Sequence, residues 1–226
     1  MLLLFDIDGT LLLSGGAGKR ALNRAFEDLF GPANAFEGIP VAGRTDPLLL
    51  DDAASGAALA LEPYQRRQFH DRYCDLLETE IVRPGPRKGL MPGVERLLED
   101  LHPRPDLCIG LVTGNFSRSA RIKLEHFGLW QFFSCGAFGD DDAERDALVP
   151  IAVDRARAMG VVVSSPSDVV VIGDTPLDVR CANAAGARSI AVATGPFDEP
   201  TLRAHGATAV LKDLSAPETF LAVLEG

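Results

Sequence analysis

The sequence predicts an α/β fold: a doubly wound, Rossmann-like parallel sheet that carries an inserted α-helical cap. Three observations lead there. Short apolar runs recur at Leu2–Phe5, Leu107–Val112, Phe132–Cys135, Val169–Ile172, Ser189–Ala193 and Thr208–Leu211. Their lack of polar alternation marks strands buried on both faces. Helical patterns separate most of them, at Gly93–Leu101, Ser117–Phe127, Ala147–Met159, Leu177–Ala185 and Pro200–His205, and a last one lies at Pro217–Leu224. Strands alternating with helices, joined by right-handed crossovers, give a parallel sheet covered on both sides. The third observation is an interruption. Ser14 to Arg87 shows no strand pattern and reads as helices at Lys19–Phe30, Pro47–Leu61 and Pro63–Ile81. Gly15-Gly16 before it and Pro84-Gly85-Pro86 after it are linker signals. The expected division is an α/β core of residues 1–13 and 88–226 and a helical cap of residues 14–87. Asp46-Pro47 is read as the N-cap and first residue of a cap helix.

Length and composition bound the function. The 226 residues suit one domain with a modest insertion, and 46% hydrophobic with 24% charged residues is an ordinary globular balance. Acidic residues outnumber basic ones 32 to 22, a net charge of −10. That excess argues against nucleic-acid binding and against an anionic membrane surface. It leaves room for a small anionic substrate, because one site can be locally positive. Cys74, Cys108, Cys135 and Cys181 form no CxxC pair and read as free thiols rather than a zinc site or disulfide framework. The apolar start lacks a basic stretch and meets Asp6 and Asp8 too early for a signal peptide, so the expected location is cytoplasmic. Nothing in the pattern sets an oligomeric state.

The chemistry gathers at strand ends, where ligands bind in open α/β sheets. The first strand ends in Asp6-Ile7-Asp8-Gly9-Thr10, the second in Thr113-Gly114-Asn115, and the fourth in Gly173-Asp174-Thr175-Pro176-Leu177-Asp178. Four carboxylates at one sheet edge repel each other unless a cation holds them. Oxygen-only ligands on loops suit Mg²⁺, which shares its shell with water and substrate phosphate. A carboxylate can attack phosphorus to give an aspartyl phosphate. A second one two residues on can protonate the leaving oxygen and then activate water. Thr113 and the backbone N–H groups near Gly114 and Asn115 lie where a helix begins and can hold phosphate.

These three segments, in this order and strand context, resemble the first, second and fourth motifs of the haloacid dehalogenase superfamily across the whole chain. The insertion resembles the helical cap of its phosphoglycolate phosphatase-like members. The resemblance implies a Mg²⁺-dependent phosphatase acting on a small phosphorylated metabolite. It implies Asp6 as nucleophile and metal ligand, and Asp8 as general acid/base with its backbone carbonyl on the metal. Thr113 would bind the phosphoryl group, Asp174 the metal directly, and Asp178 the metal's surroundings. The superfamily's third motif is usually a lysine, which this region lacks. Arg145 stands in that place and is expected to carry the role, with Lys123 as the fallback read more simply as a surface lysine.

Other residues have plainer readings. Asp178 also suits the first turn of a helix, Thr113 also suits a strand, and Arg44 is a candidate for an anionic group distal to the phosphate. Asp140-Asp141-Asp142 reads as a solvated acidic turn and the histidines as surface or structural. A metal-free dehalogenase would not need Asp8. A phosphonatase would need a cap lysine, for which Lys19 is the candidate, and a hexose-phosphate mutase is a third option. A phospho-accepting signalling module would be shorter and lack a cap.

Overall fold

The computed structural model describes residues Met1–Glu225. In chain order its elements are β1 (Leu2–Phe5), β2 (Leu12–Leu13), α1 (Ala17–Phe30), α2 (Asp46–Gly56), α3 (Pro63–Glu80), β3 (Gly89–Leu90), α4 (Val94–Leu101), β4 (Cys108–Val112), α5 (Ser117–His126), β5 (Cys135–Ala137), α6 (Leu148–Ala158), β6 (Val169–Gly173), α7 (Pro176–Ala184), β7 (Arg188–Val192), α8 (Glu199–Ala204), β8 (Ala209–Leu211) and α9 (Pro217–Glu225). Six strands form one sheet in the order β5-β4-β1-β6-β7-β8, all pairs parallel. The order runs outward in both directions from β1, so this is the doubly wound topology expected. The crevice at the carboxyl end of β1 is its switch point.

The strands are Val/Ile/Leu-rich because both faces are covered. Leu3, Phe5, Ile109, Leu111, Val170 and Ile172 face one apolar cluster, while Leu2, Leu4, Val112, Val169 and Val171 face another. Helix α4 shows how a cover forms: Val94, Leu97, Leu98 and Leu101 are buried at helical spacing, and Glu95, Arg96, Glu99 and Asp100 face water. No helix is long and apolar enough to cross a membrane among the described residues.

Helices α1, α2 and α3 pack around their own core of Phe26, Phe36, Phe69 and Tyr73 with Leu and Ala side chains. Helix α3 begins with a reciprocal capping box between Glu62 and Gln65, and Pro63 opens its first turn. The helical segment enters and leaves through β2 and β3, a two-residue antiparallel pair in which Leu12 faces Leu90 and Leu13 faces Gly89. The sequence offered no sign of it, since two residues carry no periodicity.

Several expectations need correction. The third strand was expected at Phe132–Cys135 but lies at Cys135–Ala137, and Trp130–Phe132 forms a 3₁₀ turn. The physical reason is close packing: a side chain at Gly136 would stand 2.9 Å from Leu111 Cβ, so this edge strand uses small residues. The aromatic residues before it lie over the core instead. Helix α2 stops at Gly56 rather than Leu61, and Ala58 just beyond takes a left-handed φ of 54°. The N-cap of α2 is Thr45, not Asp46. The acidic turn is not merely solvated. Asp140 accepts from Ser117 N–H at the start of α5, and Asp141 accepts from Phe138 N–H and pairs with Arg155.

Candidate active site

The β1 ladder continues one residue past the strand, where Asp6 N–H donates to Ile172 O at 2.8 Å. The chain then folds into a tight turn: Leu11 and Leu12 N–H both return to Ile7 O. Gly9 sits at φ +88°, and a Cβ there would come within 2.4 Å of an Asp174 carboxylate oxygen. Only glycine permits that approach. The turn thus aims Asp6 and Asp8 to different sides of one cleft.

On the first side, Asp6, Asp174 and Asp178 are all buried, and each offers a carboxylate oxygen within 4.8 Å of the others. Burial pushes the Asp6 carboxyl up to about 6, although the Arg145 charge beside it works the other way. Burial pushes Asp174 up to about 8, with Asp178 and Asp6 adding repulsion. Thr10 Oγ1 donates to Asp174 Oδ1 at 3.1 Å. A side chain at Gly195 would also collide with the Asp174 carboxylate, so two glycines clear the space around it. Crowded, dehydrated oxygen ligands of this kind fit Mg²⁺. The Asp8 carboxylate is not among the three.

Asp178 satisfies both of its sequence readings. It is the fourth residue of a capping box, with Oδ2 accepting from Thr175 N–H at 3.0 Å and Thr175 Oγ1 at 2.7 Å. Its Oδ1 receives Arg145 Nη2 at 2.5 Å. The same Nη2 lies 2.9 Å from Asp6 Oδ1. Burial opposes the Arg145 charge, but Asp178 and Asp6 hold the guanidinium firmly charged. Its Nη1 donates to Gly43 O at 3.1 Å, so one side chain ties both carboxylates to the cap segment.

On the second side, Asn115 is the hub. Its Nδ2 donates to Asp8 Oδ2 and to Thr113 Oγ1, both at 2.9 Å, and its Oδ1 accepts from Lys123 Nζ at 2.6 Å. Thr113 is fully buried at the end of β4, and its hydroxyl donates to no acceptor among the described residues. Gly114 has a steric task as well, since a Cβ would stand 2.2 Å from Arg44 O.

Lys123 overturns its expected place. It is not on the surface: it is 4% exposed, and Nζ donates to Asp8 Oδ2 at 2.5 Å. Helix α5 buries the face that carries Ser119, Ala120, Lys123 and Leu124, and that face ends at the cleft. Arg44 lines the cleft too, but its guanidinium pairs with Asp52 at 2.6 Å. Lys19 pairs with Glu37 at 2.9 Å.

Sequence reasoning missed Asp46 as more than a cap. Its N–H donates to Gly114 O at 2.7 Å, and its Oδ2 accepts from Phe116 N–H at 2.9 Å and Ser119 Oγ at 3.2 Å. With Thr45 Oγ1 donating to Ala143 O at 2.7 Å, the cap is stitched to the core at its middle. Burial pushes Asp46 up to about 6, against the lowering pull of Lys123 and the Phe116 N–H. Folding therefore favours the protonated form, and stability is lost as pH rises from the ordinary carboxylate range to about 6. Asp46→Asn keeps the acceptor and removes this loss. Its stability relative to wild type is expected to improve by about 2 kcal/mol between pH 4.5 and pH 7, read from urea unfolding. An unchanged difference refutes the assignment.

Comparison with known proteins identifies the family. A family model described as haloacid dehalogenase-like hydrolase matches residues 1–186. A phosphoglycolate phosphatase from Chromobacterium violaceum is 30% identical over 207 residues, covering 88% of each chain. A phosphoglycolate phosphatase from Pseudomonas putida is 27% identical over 233 residues, covering 95% of this chain and 77% of its own. The solved structure of CbbY from Rhodobacter sphaeroides in complex with phosphate superposes with a TM-score of 0.70 at 22% identity, covering 100% of this chain and 99% of its own. That last likeness speaks to fold alone. By the match over residues 1–186, the chain belongs to the haloacid dehalogenase-like hydrolases.

Proposed function

We propose that the protein is a Mg²⁺-dependent phosphatase of small phosphorylated metabolites, resembling the phosphoglycolate phosphatases among its relatives. The observation that carries this reading is the split of the two motif carboxylates. Asp6 faces Arg145, Asp174 and Asp178, while Asp8 faces Asn115 and Lys123. Asp6 attacks phosphorus, and the P–O bond to the leaving alcohol breaks as the aspartyl ester forms. Asp8 gives its proton to the departing oxygen. It then takes one from a water molecule that attacks the ester phosphorus, releasing phosphate and restoring Asp6. Thr113 Oγ1–H and the Gly114 N–H, both at the cleft, would hold phosphoryl oxygens. Mg²⁺, held by Asp6, Asp174 and the Asp8 backbone carbonyl, would neutralise the phosphoryl charge. A panel of small phosphomonoesters, assayed with and without Mg²⁺, tests the reading. Absence of Mg²⁺-dependent phosphate release from every member would overturn it.

Arg145 takes the charge-balancing role that the family's third motif usually gives to lysine. Arg145→Ala leaves Asp6 and Asp178 facing each other without a cation. A fall in kcat of roughly 10²- to 10³-fold is expected, with a lower unfolding midpoint because a buried charge loses its partner. Arg145→Lys keeps the charge but cannot span both carboxylates and Gly43 O, so partial activity is expected. Equal activity of the alanine and lysine variants would remove the charge from the explanation.

A further inference from the structure

The cleft before Asp6 and Asp8 is a cavity of about 210 Å³ shared by core and cap. Four cationic side chains line it: Lys19, Arg44, Lys123 and Arg145. Three are committed elsewhere. Lys19 bonds Glu37 and Arg44 bonds Asp52, while Arg145 serves the carboxylates on the phosphoryl side. Lys123 alone sits on the side of Asp8. Its side chain is 5% exposed, and two of its ammonium protons go to Asp8 Oδ2 and Asn115 Oδ1. The third has no acceptor among the described residues.

A glycine of the cap borders the Lys123 ammonium. A Cβ at Gly18, in the first turn of α1, would stand 3.8 Å from Lys123 Nζ and 3.7 Å from Tyr73 Oη. Gly16, Gly18 and Lys19 line the same cavity, and the backbone N–H groups of Gly18 and Lys19 have no backbone acceptor. The positive end of a 14-residue helix therefore reinforces the charge of Lys123. Asp46 lies on this side too, but its Oδ2 is turned to Phe116 N–H and Ser119.

Geometry ties this corner to one part of the substrate. If Asp8 protonates the leaving oxygen, that oxygen comes within hydrogen-bond reach of Asp8. Nζ of Lys123 is 2.5 Å from the same carboxylate, so atoms one or two bonds beyond the leaving oxygen lie beside it. We infer that Lys123 reads an anionic group on the leaving alcohol, which makes the preferred substrate the phosphate ester of a small hydroxy acid with its carboxylate two bonds from the ester oxygen. The cavity has room for a leaving group of a few carbons beside Lys123. Lys123 is thus a specificity-determining residue, in the place the sequence had offered to Arg44. This rests on the phosphatase reading above.

The test compares 2-phosphoglycolate with ethyl phosphate, which has the same carbon count and no carboxylate. Wild type is expected to favour 2-phosphoglycolate in kcat/KM. Lys123→Met is expected to reduce that preference about ten- to a hundredfold, the loss of one charge-assisted contact, chiefly through KM. Lys123→Arg is expected to retain most of the preference. Referring each variant's ratio to that of wild type cancels the different reactivities of the two esters. It also cancels any general damage to Asp8, which slows both substrates alike. Unfolding midpoints confirm that the variants fold. An unchanged ratio in the methionine variant overturns the inference, as does a wild type without preference. If wild type releases phosphate from neither ester nor from p-nitrophenyl phosphate, the phosphatase reading itself falls, and the inference with it.

Discussion

Asp6→Asn is expected to lower phosphomonoester turnover on the order of 10⁴-fold or more while leaving the fold intact. A carboxamide matches the carboxylate in shape but has no charge with which to attack phosphorus. The fold tolerates the change because the local ion pairing survives. Arg145 keeps Asp178 at 2.5 Å and Gly43 O at 3.1 Å, and the buried cluster loses one of its mutually repelling charges. The unfolding midpoint is therefore expected to stay level or rise. Two measurements decide the matter. Steady-state kinetics gives the loss in rate, and acid quenching of a single turnover with labelled substrate detects the phosphoenzyme. Label bound to wild type and absent from the asparagine variant places the ester on Asp6. A variant that turns over near the wild-type rate would hand the attack to water and end the covalent route.

How much of this site was legible in the sequence depends on how local each signal is. Asp6 and Asp8 stand out because two acids beside a buried Ile and a Gly-Thr turn have no purpose in ending a strand. Asp174 and Asp178 follow from the same logic at the end of β6. The doubly wound parallel sheet was legible because the strands are continuous apolar runs, and β1 is buried from Leu2 to Phe5. Lys123 was not legible. On helix α5 its neighbours Arg121 and Glu125 are exposed, Arg118 is half-buried and all three are ion-paired, so the local pattern reads as a solvated face. Its burial arises because Asp8, 115 residues earlier, and the cap helices close over it. Asp46 failed for the same reason. Asp-Pro is a common helix opening, and nothing nearby reveals that Phe116 N–H is its partner. Both misses concern the seam between core and cap, where contacts join residues far apart in the chain.

That seam changes the picture of the cap. A freely hinged lid would touch the core mainly through its two linkers. Here the middle of the inserted segment, Gly43 to Asp46, is bonded to Gly114, Phe116, Ala143 and Arg145 of the core. Substitutions at Gly43 and Gly114 collide with Thr175 and with Arg44 O respectively, so the two surfaces meet without slack. Gly18 of α1 and Tyr73 of α3 line the cavity from the same cap.

Removal of Mg²⁺ by EDTA is expected to abolish turnover, and Asp174→Ala is expected to weaken Mg²⁺ binding about 100-fold or more. Three buried carboxylates within 4.8 Å are costly together, and the metal-free protein relieves the cost with protons. Burial holds Asp174 at about 8 and Asp6 at about 6, so at neutral pH the site without metal retains a proton that Mg²⁺ must expel. Apparent Mg²⁺ affinity should therefore tighten as pH rises from 6 to 8, with about one proton released per ion bound near pH 7. Titration calorimetry in buffers of differing ionisation enthalpy measures that release directly. In the alanine variant the proton held by Asp174 is gone, so the remaining weak binding should lose most of its pH dependence above pH 7. The two outcomes that would count against this account are distinct. Full activity in EDTA would return the chemistry to a metal-free hydrolase with Arg145 as its sole counter-charge. Tight Mg²⁺ binding without proton release would place the ion away from Asp174, outside the space that Gly9 and Gly195 leave clear.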